Sequence, residues 1–323
     1  MNDLILHNDN NDGIDRRGFL KCMAWTGTGV LWSVSGGLLT SRVLGQTTGG
    51  AALPAPVGEL HFVQISDSHI GFKKPAINQD VTATFRETIA RINALPHAPE
   101  FLLHTGDLSH LAEADEFDTL EQLLKDCKTK QVFYVPGEHD ILSDNGAQYM
   151  ARFGKGSLGT GWHSFDQKGV HFIGLSNVAN IAEGGLGTIG AEQLDWLAKD
   201  LAPLSSDTPI VVYAHIPLWS IYPKWGWGTD DAEKALTMLK RFGSVTVLNG
   251  HIHQALQKIE GNITFHTARS TAFPQPAPGA APKPGPMKVE AARLRSFLGL
   301  TNVSYVETAT PLAIVDSTLA DQG

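Results

Sequence analysis

The sequence predicts an α/β fold with mixed sheets and helices on the outer faces. Three observations predict it. From about Leu60 onward, strand-like and helix-like segments alternate, which implies parallel strands joined by helical crossovers. Further along, hairpin-like pairs of strands join them, so the sheets cannot be purely parallel. The 42% hydrophobic and 18% charged content is that of a chain with a packed core and not of a disordered one.

In chain order, Leu60-His61-Phe62-Val63-Gln64-Ile65 reads as the first strand of the domain. Asn78 to Leu95 places Val81, Phe85, Ile89 and Ile92 at spacings of three and four, a helix that Pro96 ends. Phe101 to His104 is a strand running into Gly106-Asp107, and Glu116 to Lys125 is a helix through Phe117, Leu120, Leu123 and Leu124. Gln131 to Val135 is a strand stopped by Pro136-Gly137. Ser164-Phe165 and Val170 to Leu175 form a hairpin about Gln167-Lys168-Gly169. Ala191 to Leu201 and Asp230 to Phe242 are helices, with strands at Pro209 to Ala214 and Ser244 to Leu248, then a hairpin at Ala255 to Ile259 and Ile263 to Thr267. The prolines across 274–286 exclude regular helix or inner strand, so this stretch is an extended surface loop. The extension over 287–323 carries an amphipathic helix at Val289 to Leu298 and closing strands at Val303 to Val306 and Leu312 to Val315; it either covers the site or mediates pairing.

The N-terminus reads differently. Asp15-Arg16-Arg17-Gly18-Phe19-Leu20-Lys21 resembles the twin-arginine export signal, followed by a mildly apolar segment from Cys22 to Leu44 too broken for a transmembrane helix. The expectation is a signal peptide over 1–45, cleaved near Gly45-Gln46 or at Ala51 or Ala52, a linker over 46–58, and one domain over 59–323. The export machinery is then a partner, and the product is periplasmic or extracellular; the alternative is an uncleaved tether. Cys127 is left alone, a small buried hydrophobe with no disulfide to form. A net charge of −8 argues against a nucleic-acid polymer as partner but leaves a small phosphate ester open.

The informative residues fall where strands end: Asp67 and His69, then Asp107, then Glu138-His139-Asp140, then His215, then His251 and His253. Sites in α/β sheets gather at carboxyl strand ends, and carboxylates with imidazoles there form metal shells. On an extended chain side chains alternate, so Asp67 and His69 project to one side. Gly106, Gly137 and Gly250 mark places where the backbone turns sharply to deliver the next ligand.

Taken together, Asp67-x-His69, Gly106-Asp107, Gly137-Glu138-His139-Asp140, His215 and Gly250-His251-x-His253 resemble, in order and spacing, the calcineurin-like metallophosphoesterases. The resemblance spans about residues 60 to 270. It implies a two-sheet α/β/β/α sandwich with two metal ions at its top. It also implies that Asp67, His69 and His253 hold one ion, that Glu138, His215 and His251 hold the other, and that Asp107 bridges both. Mixed carboxylate and imidazole ligands suit Mn, Fe or Zn. A metal-bridging hydroxide is the implied nucleophile, with His139 protonating the leaving oxygen or steadying the transition state. Asp140 orients His139 or caps the helix that follows.

One position departs from the family, whose usual motif is Gly-Asn-His. Glu138 adds a negative charge where a neutral amide is usual, which tightens metal binding and repels a dianionic monoester more than a singly charged diester. Among residues offered to substrate, His110 stands where purple acid phosphatases carry a metal-binding Tyr, which argues against that subfamily. Trp225 and Trp227, with Trp219 and Tyr222, form either a stacking wall or a hydrophobic plug after His215. The expectation is an exported metal-dependent phosphodiesterase. The alternatives are a phosphomonoesterase, or a metal-binding protein that Glu138 has left with little turnover.

Overall fold

The computed structural model describes residues 29–35, 38–44, 60–306 and 309–321. The Arg16-Arg17 motif and the cleavage and linker positions over 45–58 lie outside them. Within residues 1–52, β1 (Gly29–Ser35) and β2 (Leu38–Leu44) pair antiparallel.

Residues 53–323 form the second unit. Its elements run β3 (Leu60–Ile65), α1 (Val81–Asn93), β4 (Leu102–His104), α2 (Ala114–Leu124), β5 (Val132–Tyr134) and α3 (Ala147–Phe153). The second half continues with β6 (His163–Gln167), β7 (Val170–Leu175), α4 (Ala191–Leu201), β8 (Ile210–Ala214), α5 (Ala232–Leu239) and β9 (Val245–Asn249). It closes with β10 (Leu256–Glu260), β11 (Ile263–Thr267), β12 (Gly299–Val306) and β13 (Ala309–Thr318).

Two sheets result. One has the order β13-β12-β3-β4-β5, with β3, β4 and β5 parallel and the C-terminal pair antiparallel. The other has the order β10-β11-β9-β8-β7-β6, parallel in the middle and antiparallel at both edges. Alternation along each strand assigns three apolar layers. Phe62, Phe101, Leu103, Phe172, Val211 and Tyr213 pack between the sheets. Val63 and Ile65 meet Phe85, Ile89, Phe117 and Leu120 of α1 and α2 outside one sheet. Val212 and Val247 meet Leu197 and Leu236 of α4 and α5 outside the other. Burial on both faces explains why these strands read as continuous apolar runs. The α/β/β/α sandwich is as expected.

Local chemistry sets the boundaries. Helix α1 starts at Val81 and not Asn78 because the Asp80 carboxylate accepts the Thr82 and Ala83 amides, at 2.8 and 3.1 Å. Cys127 is buried against the α1 and α2 packing, as its sequence context implied. The helix expected over Val289–Leu298 is only a 3-10 stretch at Ala291–Ser296. Its inward contacts are limited to Leu294 and Leu298 against Leu319 and Val289, too narrow a stripe to nucleate an α-helix. Helix α3 has no counterpart in the sequence pattern; left-handed Gly146 precedes it and Tyr149 is its buried anchor.

Candidate metal centre

The strand ends converge, but not by extended backbone. Asp67, His69, Asp107, His251 and His253 adopt φ values of 53°, 41°, 53°, 71° and 56°. Each is a left-handed turn costing about 1–2 kcal/mol in a non-glycine residue, a kind of strain that clusters at functional sites. The alternation expected for Asp67 and His69 is therefore replaced by consecutive sharp turns that aim both side chains inward. A backbone zip holds them: Asp67 donates to the Gly106 carbonyl at 3.0 Å, His69 to Asp107 at 2.9 Å and Ile70 to Leu108 at 3.0 Å. Of the three glycines, only Gly106 turns with positive φ, at 93°. Gly137 and Gly250 serve close approach instead, since a Cβ would collide with Asp107 at the first and with Ser66 and Asp67 at the second.

Two clusters form around Asp107. In the first, His253 Nε2 lies 3.2 Å from Asp67 Oδ1 and 3.3 Å from His69 Nε2. In the second, Glu138 reaches His215 Nε2 with Oε2 and His251 Nδ1 with Oε1, each at 2.9 Å. Asp107 Oδ2 stands 3.4 Å from both His69 Nε2 and His215 Nε2. Ligand atoms sharing one ion at about 2.1 Å sit roughly 3–3.5 Å apart, so these separations fit coordination.

The donor set passes a second test of fit. His215 Nδ1 donates to the Thr105 carbonyl at 2.7 Å and His253 Nδ1 to that of Phe273 at 2.5 Å, which turns each Nε2 lone pair toward the centre. Glu138 Oε2, His215 Nε2 and both ring nitrogens of His251 are buried, and although Glu138 stands 2.9 Å from each ring, none of these atoms is satisfied by a hydrogen bond of good geometry. Orphaned polar atoms are costly unless something else binds them, and a cation would. All seven expected ligands take part, in groups whose donor atoms lie within 4.8 Å of one another.

Charge follows from these contacts. Burial opposes ionisation of Glu138, but the His251 and His215 imidazoles outweigh it and hold its carboxyl well below the usual range. Burial likewise opposes a charged His215, yet Asp107 and Glu138 raise it well above an ordinary imidazole. His69 is lowered by burial and by neighbouring His139 and His253.

His139 does not lean on Asp140. Its Nδ1 donates to the His110 carbonyl at 2.6 Å, and its backbone N–H to Asp107 Oδ1 at 2.9 Å. The Asp140 carboxylate instead accepts the amides of Gly137, Leu108 and Ser109 and the Ser109 hydroxyl, at 2.9, 3.1, 2.8 and 2.9 Å. It ties two ligand-bearing loops together, replacing both roles expected of it. Burial and the Asp107 charge push it up to about 7. Glu116 acts similarly, accepting the His110 and Leu111 amides at 3.1 and 2.7 Å; its signal was the reciprocal cap with Glu113 that opens α2.

The residues offered to substrate separate. His110 stacks on His139 at 4.8 Å and its Nδ1 lies 3.3 Å from His69 Nδ1, the ring nitrogen other than the Nε2 that faces Asp107 and His253, so it packs against the histidines of the centre. Trp227 is 1% exposed and cannot present a face to a ligand; it plugs the loop, with half-buried Trp225 edge-on to it at 5.2 Å. The aromatic backing missed in the sequence is Phe273, whose ring lies 4.7 Å from both His69 and His253.

A sequence profile of the calcineurin-like phosphoesterases matches residues 60–255. The chain is 25% identical over 219 residues to a 3',5'-cyclic-nucleotide phosphodiesterase of Nostoc sp., covering 66% of this chain and 79% of that one. It is 25% identical over 229 residues to a probable cyclic nucleotide phosphodiesterase of Rhodococcus erythropolis, covering 67% and 72%. A dimetal phosphatase from Danio rerio shares the fold, with a TM-score of 0.59 at 14% identity over 80% of this chain and 98% of that one.

Proposed function

Because the chain belongs to the calcineurin-like phosphoesterase family, we propose that it is a metal-dependent hydrolase of phosphodiesters, with cyclic nucleotides the first class to examine. The observation that carries this reading is Asp107 Oδ2, equidistant at 3.4 Å from one histidine of each cluster, the position of a bridging ligand. Asp67, His69 and His253 would hold one ion and Glu138, His215 and His251 the other, with Mn, Fe or Zn suited to such ligands. When bound, the ions supply Lewis-acid activation of water and of the phosphoryl group. His139, fixed through Nδ1 by the His110 carbonyl, is the proton donor to the leaving oxygen. Burial works against its charged form, but Asp107 and Glu138 outweigh burial and raise its pKa. The Glu138 charge favours a monoanionic diester over a dianionic monoester.

Metal analysis of the purified protein, with a panel of bis-aryl, mono-aryl and cyclic-nucleotide phosphates, tests this. Two ions per chain and about tenfold or greater preference in kcat/KM for diesters are expected. A monoester preference removes the diester reading, and a chain that binds no metal removes the hydrolase. The twin-arginine-like motif supports export to the periplasm or exterior by that machinery. Arg16→Lys with Arg17→Lys is expected to retain the protein inside the cell, and unchanged export on fractionation would count against it.

A further inference from the structure

His69, His215 and His253 all turn Nε2 toward a carboxylate of the centre, the first two at 3.4 Å from Asp107 and the third at 3.2 Å from Asp67. Each ring therefore needs a partner for the proton on its other nitrogen. Backbone carbonyls serve two of them, Thr105 for His215 and Phe273 for His253. His69 has no such carbonyl. Among the described residues its Nδ1 meets one partner, His110 Nδ1, at 3.3 Å.

A neutral imidazole has one N–H and one in-plane lone pair. With the Nε2 lone pair of His69 turned to the centre, its proton is on Nδ1, and the hydrogen bond runs from His69 to His110. His110 then accepts at Nδ1 and carries its own proton on Nε2. It is no ligand of the same ion, since it faces the nitrogen of His69 that holds the proton and not the one with the lone pair. Its ring is well fixed for this. The His110 amide donates to the Ile70 carbonyl at 2.9 Å and to Glu116 at 3.1 Å. Phe72 meets the ring edge-on at 5.1 Å, and His139 lies over it with 15° between the planes. The His110 carbonyl meanwhile accepts His139 Nδ1, so a single residue sets two histidines, one through its ring and one through its backbone.

We infer that His110 is a positioning residue of the metal centre: its ring holds His69 in the Nδ1–H tautomer and so aims the Nε2 lone pair at the ion of the Asp67, His69 and His253 half. The inference rests on the two-ion reading of the centre. Unlike the carbonyls that orient His215 and His253, this orienting group is a side chain, so substitution removes it while the backbone acceptor of His139 stays in place.

Calorimetric titration of Mn²⁺ into the metal-free protein tests this without turnover, the relevant step being the one that His253→Ala abolishes. His110→Phe keeps a ring to lie on His139 but has no acceptor; it should weaken that step about tenfold and leave the other within about twofold of wild type. His110→Asn, whose Oδ1 falls near the place of Nδ1, should bring the same step back to within about threefold of wild type. Long-range proton–nitrogen spectra of the ¹⁵N-histidine-labelled, metal-free protein should show His69 as the Nδ1–H tautomer in wild type and in His110→Asn, and as a mixture in His110→Phe. Equal weakening of both steps, the same loss in Asn as in Phe, or an unchanged His69 tautomer overturns the inference and leaves the two-ion reading intact. A wild type that takes up no Mn²⁺ yet shows the tautomer change in His110→Phe upholds the positioning role and removes the two-ion reading.

Discussion

The two ligand clusters share Asp107 yet sit in unlike surroundings. Asp67, His69 and His253 are at most 2% exposed, and Phe273 lies against the rings of both histidines. In the other cluster His215 is buried, but Glu138 is 28% and His251 12% exposed. A closed shell suits an ion that stays, and an open one suits an ion that meets substrate. The contrast teaches that the centre is asymmetric before anything binds to it.

Asp107→Asn strikes both clusters at once and is expected to have the largest effect. Metal content should fall from two ions toward one or none, and kcat by about a thousandfold or more, read by elemental analysis and steady-state kinetics. Retention of both ions would mean that the clusters are independent and share nothing. Glu138→Asn should act on the open half alone. Metal affinity there is expected to weaken about tenfold, while the ratio of monoester to diester turnover rises several-fold. Equal loss from both halves in a metal titration would erase the asymmetry. If instead hydrolysis appears where the native chain has none, Glu138 is what silences the native site.

Phe273→Leu addresses the sealed half. It removes the ring behind His69 and His253 but keeps the carbonyl that orients His253, so a loss of about two- to fivefold in affinity for the tighter ion is expected. A change confined to the weaker ion would reverse the assignment of the halves.

The smallest effect lies outside the centre, near the far end of β7, and calibrates it. His171 donates to Asp166 at 2.8 Å and Asp200 at 2.9 Å; burial opposes its charge, but the two carboxylates outweigh burial and raise its pKa. A raised histidine pKa stabilises the fold fully below its unfolded value of about 6.5, and the gain is lost as pH rises through the folded value. His171→Gln should therefore cost about 1 kcal/mol in thermal unfolding at mildly acidic pH and less at alkaline pH, with metal content unchanged. A penalty that grows with pH would contradict the pairing.

The ligands were legible because metal chemistry admits few residue types, and five strand ends in turn supplied them. Their delivery was not, because left-handed backbone at Asp67, His69 and Asp107 is imposed by the zip between the β3 and β4 loops and has no local signal. Asp140 was misread, and the stacking role offered for Trp227 gave way to the plug that was its alternative, for a related reason: sequence proximity to a site does not say which way a side chain turns. Asp140 turns back to bind four donors, and Trp227 turns into the core. The apolar strands, buried on two faces, declared themselves plainly. The 3-10 stretch at Ala291–Ser296 did not, because its spacing imitated an amphipathic helix that the available contacts could not sustain.

Strand β3, which leads into Asp67, lies between β4 and β12, so one of its two neighbours arrives about 240 residues later in the chain. Until residues 299–306 have been made, β3 is a bare edge, open to pairing with the wrong strand. The strand that leads into the first ligands is thus secured by a partner far along the chain, so the centre's foundation depends on a long-range pairing.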